Sequence, residues 1–163
     1  MKIQRMLFVQ FIGFLLTIHF MPSCAQNSPS TSEDFTTLQQ AILAEVNTYR
    51  TSKNLKPLQE LPLITEEAIK HSKNMGNGRV AFGHDGFDNR MDRIMGQIKN
   101  ANACAENVAF GKFTAQEVVK RWIQSPGHRK NIEGNYNLTG IGVVRGKDGY
   151  PYFTQIFINQ RSM

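Results

Sequence analysis

Helical patterns come first along this chain and clear strands last, and no strand–helix–strand alternation intervenes. Phe35, Leu38, Ile42, Val46 and Tyr49 recur at three- and four-residue steps, the apolar stripe of a helix that runs to about Ser52. Pro57 disfavours helical geometry at Lys56 and closes that segment. A second helix is expected from Thr65, whose hydroxyl can cap free backbone N–H groups, with Glu66 and Glu67 near its positive end. Ala68, Ser72 and Met75 form its narrow face, and Gly76 and Gly78 stop it. Residues 77–112 read as loop-rich, with a short helical piece over Asn89–Met95. Thr114-Ala-Gln-Glu117 is a capping box, followed by Val118, Val119, Trp122 and Ile123 on one face, until Pro126-Gly127 ends the helix. Ile141–Val144 and Tyr152–Ile158 read as two strands of a hairpin around the turn Lys147-Asp148-Gly149. This order predicts an α+β fold with helices packed on an antiparallel sheet.

The N-terminus reads as an export segment. Lys2 and Arg5 precede an apolar run from Met6 to Met21, and Ser23 and Cys24 close it. That is the charged, apolar, small-residue order of a secretory signal, and the run is shorter than the ~20 residues a membrane span needs. A cysteine directly after the apolar core is the pattern of a bacterial lipoprotein signal. Residues 1–23 are therefore expected to be removed and Cys24 acylated at the membrane, with ordinary secretion after cleavage near Ala25 as the alternative. Residues 24–34 suit a solvated tether, which when extended spans roughly 30 Å. From Phe35 about 130 residues remain, enough for one domain with one core. The two cysteines, Cys24 and Cys104, exclude a disulfide framework, and an isolated Cys104 reads as a small buried hydrophobe. The formal charge is +6, and loss of Lys2 and Arg5, two positives and no acid, leaves +4. The basic residues are scattered, which argues for a solvated surface and against nucleic-acid binding.

Four histidines exist, and His19 lies in the export segment. His71 follows Glu67 by four residues and is expected to form a partly exposed ion pair with it. His84 sits between glycines in Phe82-Gly83-His84-Asp85-Gly86, where the backbone is free to take an unusual path. His128 follows Ser125-Pro126-Gly127 and is expected at a turn. Glu106 lies among small residues in Ala105-Glu106-Asn107-Val108-Ala109, so its carboxylate, if buried, needs a partner. Two imidazoles and a carboxylate could bind a divalent metal such as zinc, or carry acid–base chemistry. Structural hydrogen bonding accounts for the same residues equally well. No local signature supports a Cys104 nucleophile, Asp85 and Asp88 lack calcium-loop spacing, and no phosphate-cradling glycine motif is present.

Taken together and in order, these segments resemble the CAP superfamily, or SCP domain, of cysteine-rich secretory proteins, insect antigen 5 and plant pathogenesis-related proteins. The matching elements are Val46–Arg50, Ala68–Met75, Phe82-Gly83-His84, Ala105–Ala109, Trp122–Ile132, Gly140–Val143 and Tyr152–Phe157, across about residues 38–159. The resemblance implies an α-β-α sandwich and a cleft that in many eukaryotic members is lined by two histidines and two glutamates. His84 and Glu106 match two of the four. Ser125 stands where the second glutamate usually lies, and Tyr152 where the second histidine lies. The Ser-Pro-Gly-His-Arg segment resembles the bacterial branch, in which His128 is a candidate to turn into the same cleft beside Asn107.

The leading expectation is a cell-envelope binding or interaction module, a monomer displayed by its lipid anchor at Cys24, with a cleft for an unidentified ligand. A metal-assisted, protease-like hydrolase using Glu106 with His84 and His128 is the alternative, so whether the chain is an enzyme stays open. Lipid or sterol carriage ranks last.

Overall fold

The structure is a computed structural model that describes residues 31–161. Cys24, the export segment and most of the expected tether lie outside the described residues. Helix α1 spans Thr31–Ser52, so the last residues of the expected tether belong to it. Its stripe faces inward, with Ile42 and Val46 fully buried. In its last turn the buried Arg50 guanidinium donates to the carbonyls of Lys56, Ile132, Gly134 and Tyr136 at 2.6–3.0 Å, tying the helix end to two later segments.

A two-residue strand β1, Gln59–Glu60, precedes helix α2, Pro62–Gly76. This helix begins three residues before Thr65. Pro62 supplies the start, its fixed backbone angle suiting the first helical position, while the Thr65 hydroxyl donates to Glu60 at 2.8 Å instead of capping. Helix α3 covers Phe87–Met95. Ala101–Phe110 then forms strand β2, a correction to the loop expected there. Its small, polar composition carries little intrinsic strand preference, and the strand is fixed by antiparallel pairing along the chain's last strand.

Helix α4, Ala115–Gln124, is entered through the expected capping box: the Glu117 N–H donates to Thr114 Oγ1, and the Thr114 N–H donates to Glu117 Oε2. Pro126-Gly127 does end it, yet Pro126 is also the first residue of a further helix α5, Pro126–Ile132, so His128 lies on a helix and not at a turn. Strands β3, Leu138–Arg145, and β4, Pro151–Gln160, form the expected hairpin.

The sheet order is β1-β3-β4-β2, antiparallel except for the parallel β1–β3 pair at one edge. One face packs against α1, α4 and α5 through Ile141, Val143, Phe153, Phe157 and Trp122. The other packs against α2 and α3 through Leu138, Ile156 and Ile158. Gly140 and Gly142 let α2 lie directly on β3: a Cβ at either would fall 2.2 Å from α2 backbone atoms. The result is a three-layer α-β-α sandwich.

Candidate functional site

Strand alternation sends Ala105 and Asn107 toward the α1–α4–α5 layer and Cys104 and Glu106 toward the α2–α3 layer. There the Glu106 side chain is 1% exposed and meets groups from three elements. From α3, Arg90 donates through Nε to Oε2 at 2.8 Å and through Nη2 to Oε1 at 2.9 Å, a two-pronged pair. From the loop before α3, His84 Nδ1 donates to Oε1 at 2.9 Å. From α2, His71 Nε2 lies 3.7 Å from the same oxygen.

Two of the same side chains, His71 and Arg90, grip the backbone around His84. His71 Nε2 donates to the Gly83 carbonyl at 2.8 Å, and Arg90 Nη1 donates to the Asp85 carbonyl at 3.3 Å. Gly86, left-handed with φ 73°, turns the chain into α3. His84 is thereby pinned on one ring nitrogen while half of its side chain stays exposed. Nε2 is the nitrogen left for a ligand.

His71 is almost fully buried and does not pair with Glu67 as its spacing suggested. Glu67 is taken instead by the Arg93 guanidinium at 2.6 and 3.1 Å, which holds its carboxyl below the usual range despite partial burial. Burial pushes the His71 pKa below its ordinary 6.5, against the opposing pull of Glu106.

His128 stands apart from this bonded cluster. It is half-buried on the α5 side of β2, where its backbone carbonyl accepts from Asn107 Nδ2 at 3.1 Å, and its ring forms no ion pair with Glu106. Burial lowers its pKa, and the nearby His84 charge adds to that. Asn131 bridges α5 to the strand, donating through Nδ2 to Asn107 Oδ1 at 2.8 Å and to the Glu106 backbone carbonyl at 3.2 Å. The structure therefore bonds His84 to Glu106, while His128 lies within electrostatic reach of His84 and forms no ion pair with Glu106.

This arrangement does not suit zinc. Among the described residues no three His, Cys, Asp or Glu side chains are gathered as a ligand set. Both Glu106 oxygens already hold the Arg90 guanidinium, which would repel an incoming cation. Nor is Cys104 an activated thiol, since burial pushes its pKa up.

Of the other expected cleft residues, Asn107 is fully buried in the bridge just described. Ser125 joins α4 to α5 as the residue flanking both, with no side-chain capping bond. Tyr152 lies on the Glu106 face, its hydroxyl donating to Asp148 Oδ2 at 2.9 Å, a bond that raises the phenol pKa. Its ring stacks on Phe110 at 5.7 Å, and Phe110 meets Phe82 edge-on at 4.9 Å. Phe82 precedes His84 by two residues in the chain, so the aromatic group and the histidine loop are joined through Gly83.

Arg90, His71 and Asn131 were not legible as site residues. A signal existed for the first two: Arg90 is in step with Ile94, and His71 falls three residues after Ala68 and four before Met75. Each is thus a charged or polar residue on an apolar face.

The three-layer α-β-α sandwich is the architecture the motif order implied for a CAP domain. A sequence model of the CAP, or cysteine-rich secretory protein, family matches residues 43–157, and the chain belongs to that family. It is 32% identical over 148 residues to protein YkwD of Bacillus subtilis (strain 168), which covers 83% of this chain and 56% of that protein. An extracellular SCP-domain protein of Bacillus anthracis str. Ames superposes with TM-score 0.65 at 27% identity, over 77% of this chain and 41% of that one. An outer surface protein of Borrelia burgdorferi shares the fold, with TM-score 0.62 at 22% identity over 81% of this chain and 96% of that one. The chain thus spans little more than half of YkwD.

Proposed function

We propose that this chain is an exported ligand-binding module of the cell envelope, a monomer held at the membrane by acylated Cys24. The His84 face is its recognition surface. The observation that carries this reading is the engagement of Glu106: its buried carboxylate is bonded on both oxygens, while the imidazole it orients is open to solvent. A general base must reach a substrate proton, and Glu106 in this setting does not. The geometry therefore favours recognition through His84 over hydrolysis. Export is supported by the N-terminal segment and by relatives described as extracellular or outer-surface proteins.

Two measurements test the reading. Mass spectrometry of ligands retained from separated glycan, peptide and lipid fractions of the envelope should show one species held by wild type and lost in His84→Ala. Equal retention by both proteins would refute recognition at His84. Peptide hydrolysis should be absent in wild type and Glu106→Gln alike, and a rate that disappears in Glu106→Gln would restore the hydrolase. The anchor has its own test. Cys24→Ala should move the protein from the membrane fraction to the aqueous one, and intact mass should show acyl chains on wild type alone.

A further inference from the structure

The large apolar side chains that stand exposed among the described residues, Phe82 and Phe110 at 48% and Tyr150 at 44%, gather at one end of the sheet. Phe82 and Phe110 touch. Tyr150 joins the group because the Gly111 N–H donates to the Pro151 carbonyl at 2.9 Å, pinning the two loops together, and the Lys112 ammonium lies 5.7 Å over the Tyr150 ring. Arg145 and the exposed Lys147 flank the same hairpin turn. Two carboxylates of the hairpin turn and the start of α4 are hydrogen-bonded within the fold: Asp148 accepts from Tyr152 and from the Tyr150 N–H, and Glu117 closes the capping box.

The N-terminal segment enters at this end as well. Arg145 stacks on the ring of Phe35 at 5.3 Å, near the start of α1, and Phe35 lines a groove of about 620 Å³ with Lys112 and Pro151.

Aromatic rings seat at the boundary between lipid headgroups and acyl chains, and Lys and Arg beside them meet lipid phosphates while their stems cover apolar surface. We propose that this end of the domain docks on an anionic lipid bilayer, with Phe82, Phe110 and Tyr150 entering the interface and Lys112, Arg145 and Lys147 pairing with phosphates. The proposal takes from the anchoring reading only the direction of the tether. Ten residues, 25–34, separate Cys24 from Phe35, so an anchored chain presents this end first. The docking contact itself needs no acyl group.

Hydrogen–deuterium exchange on the full chain tests this, with liposomes of equal parts phosphatidylcholine and phosphatidylglycerol against pure phosphatidylcholine. Amides of residues 110–113 and 146–150 should exchange several-fold more slowly on the anionic liposomes. Residues 133–137, at the opposite end of the sheet, should be unaffected. The protection should vanish in high salt and in the Lys112→Glu, Lys147→Glu double variant, whose changes lie at exposed positions. Equal exchange on both lipids, or protection that survives the double variant, overturns the proposal. So does protection in detergent micelles that grows with protein concentration, which would assign the face to a second copy. Intact mass reports acylation separately, and an unacylated chain is read with the same liposomes in excess. A failed anchor and a failed docking face are therefore distinct results.

Discussion

Glu106 and Arg90 are each nearly inaccessible, so each charge depends on the other. Removing one partner of a buried pair leaves an uncompensated charge and costs about 3–5 kcal/mol, whereas replacing both by apolar groups costs far less. Arg90→Leu and Glu106→Leu should therefore each lower stability by about that much. The double variant should lose clearly less than the sum, as a urea-denaturation cycle would show. The buried imidazoles give a pH dependence with a definite sign. His71 and His128 both titrate below 6.5 in the fold, so the unfolded chain takes up protons first as pH falls. Their effect on stability is absent well above the ordinary histidine value and becomes a progressive loss as pH falls through and below it. The urea midpoint should follow that course, with a shallower fall in His71→Gln. At this scale the sequence disclosed a need more readily than its answer. Glu106 among small residues called for a partner, but the partner came from a helix whose charged residues looked like solvated surface. Glu67 escaped His71 because a guanidinium offers two bonds where an imidazole offers one.

Helix α2 lies against β3 at a distance only glycine permits. Gly142→Ala would drive a methyl group into the backbone at Ala68 and Ile69, and Gly140→Ala into that at Ile64 and Thr65. Overpacking of this kind costs about 1–3 kcal/mol or more, and thermal melts should show it for both. Gly127→Ala, with open space around it, should melt close to wild type. The capping box gives a smaller effect: Thr114→Ala should cost about 1 kcal/mol in the same assay. Elements with a strong local signal, such as α1, α4 and the terminal hairpin, were legible because side-chain period and caps are encoded within a few residues. Strand β2 was not, because Ala101–Phe110 becomes a strand through a neighbour some fifty residues later in the chain. Helix α5 was hidden by Pro126, which ends one helix and begins the next.

Across the whole molecule, the order of weak motifs made the family and its layers legible, while the fate of individual ionisable groups depended on three-dimensional packing. The two central strands of the sheet, β3 and β4, come after every other described element in chain order. Helix α1 is tied to that hairpin over great sequence distance, as when Gln39 donates to the Ile141 carbonyl at 2.8 Å, 102 positions away. Neither helical layer can therefore be completed before that hairpin is in place, and loop closure over such spans makes folding slow. A chain stopped at Asp148 should retain no cooperative unfolding transition, which calorimetry would reveal. Under the export proposed above, that delay is useful: the unfolded polypeptide stays threadable through a narrow pore, and its architecture is completed only on the far side.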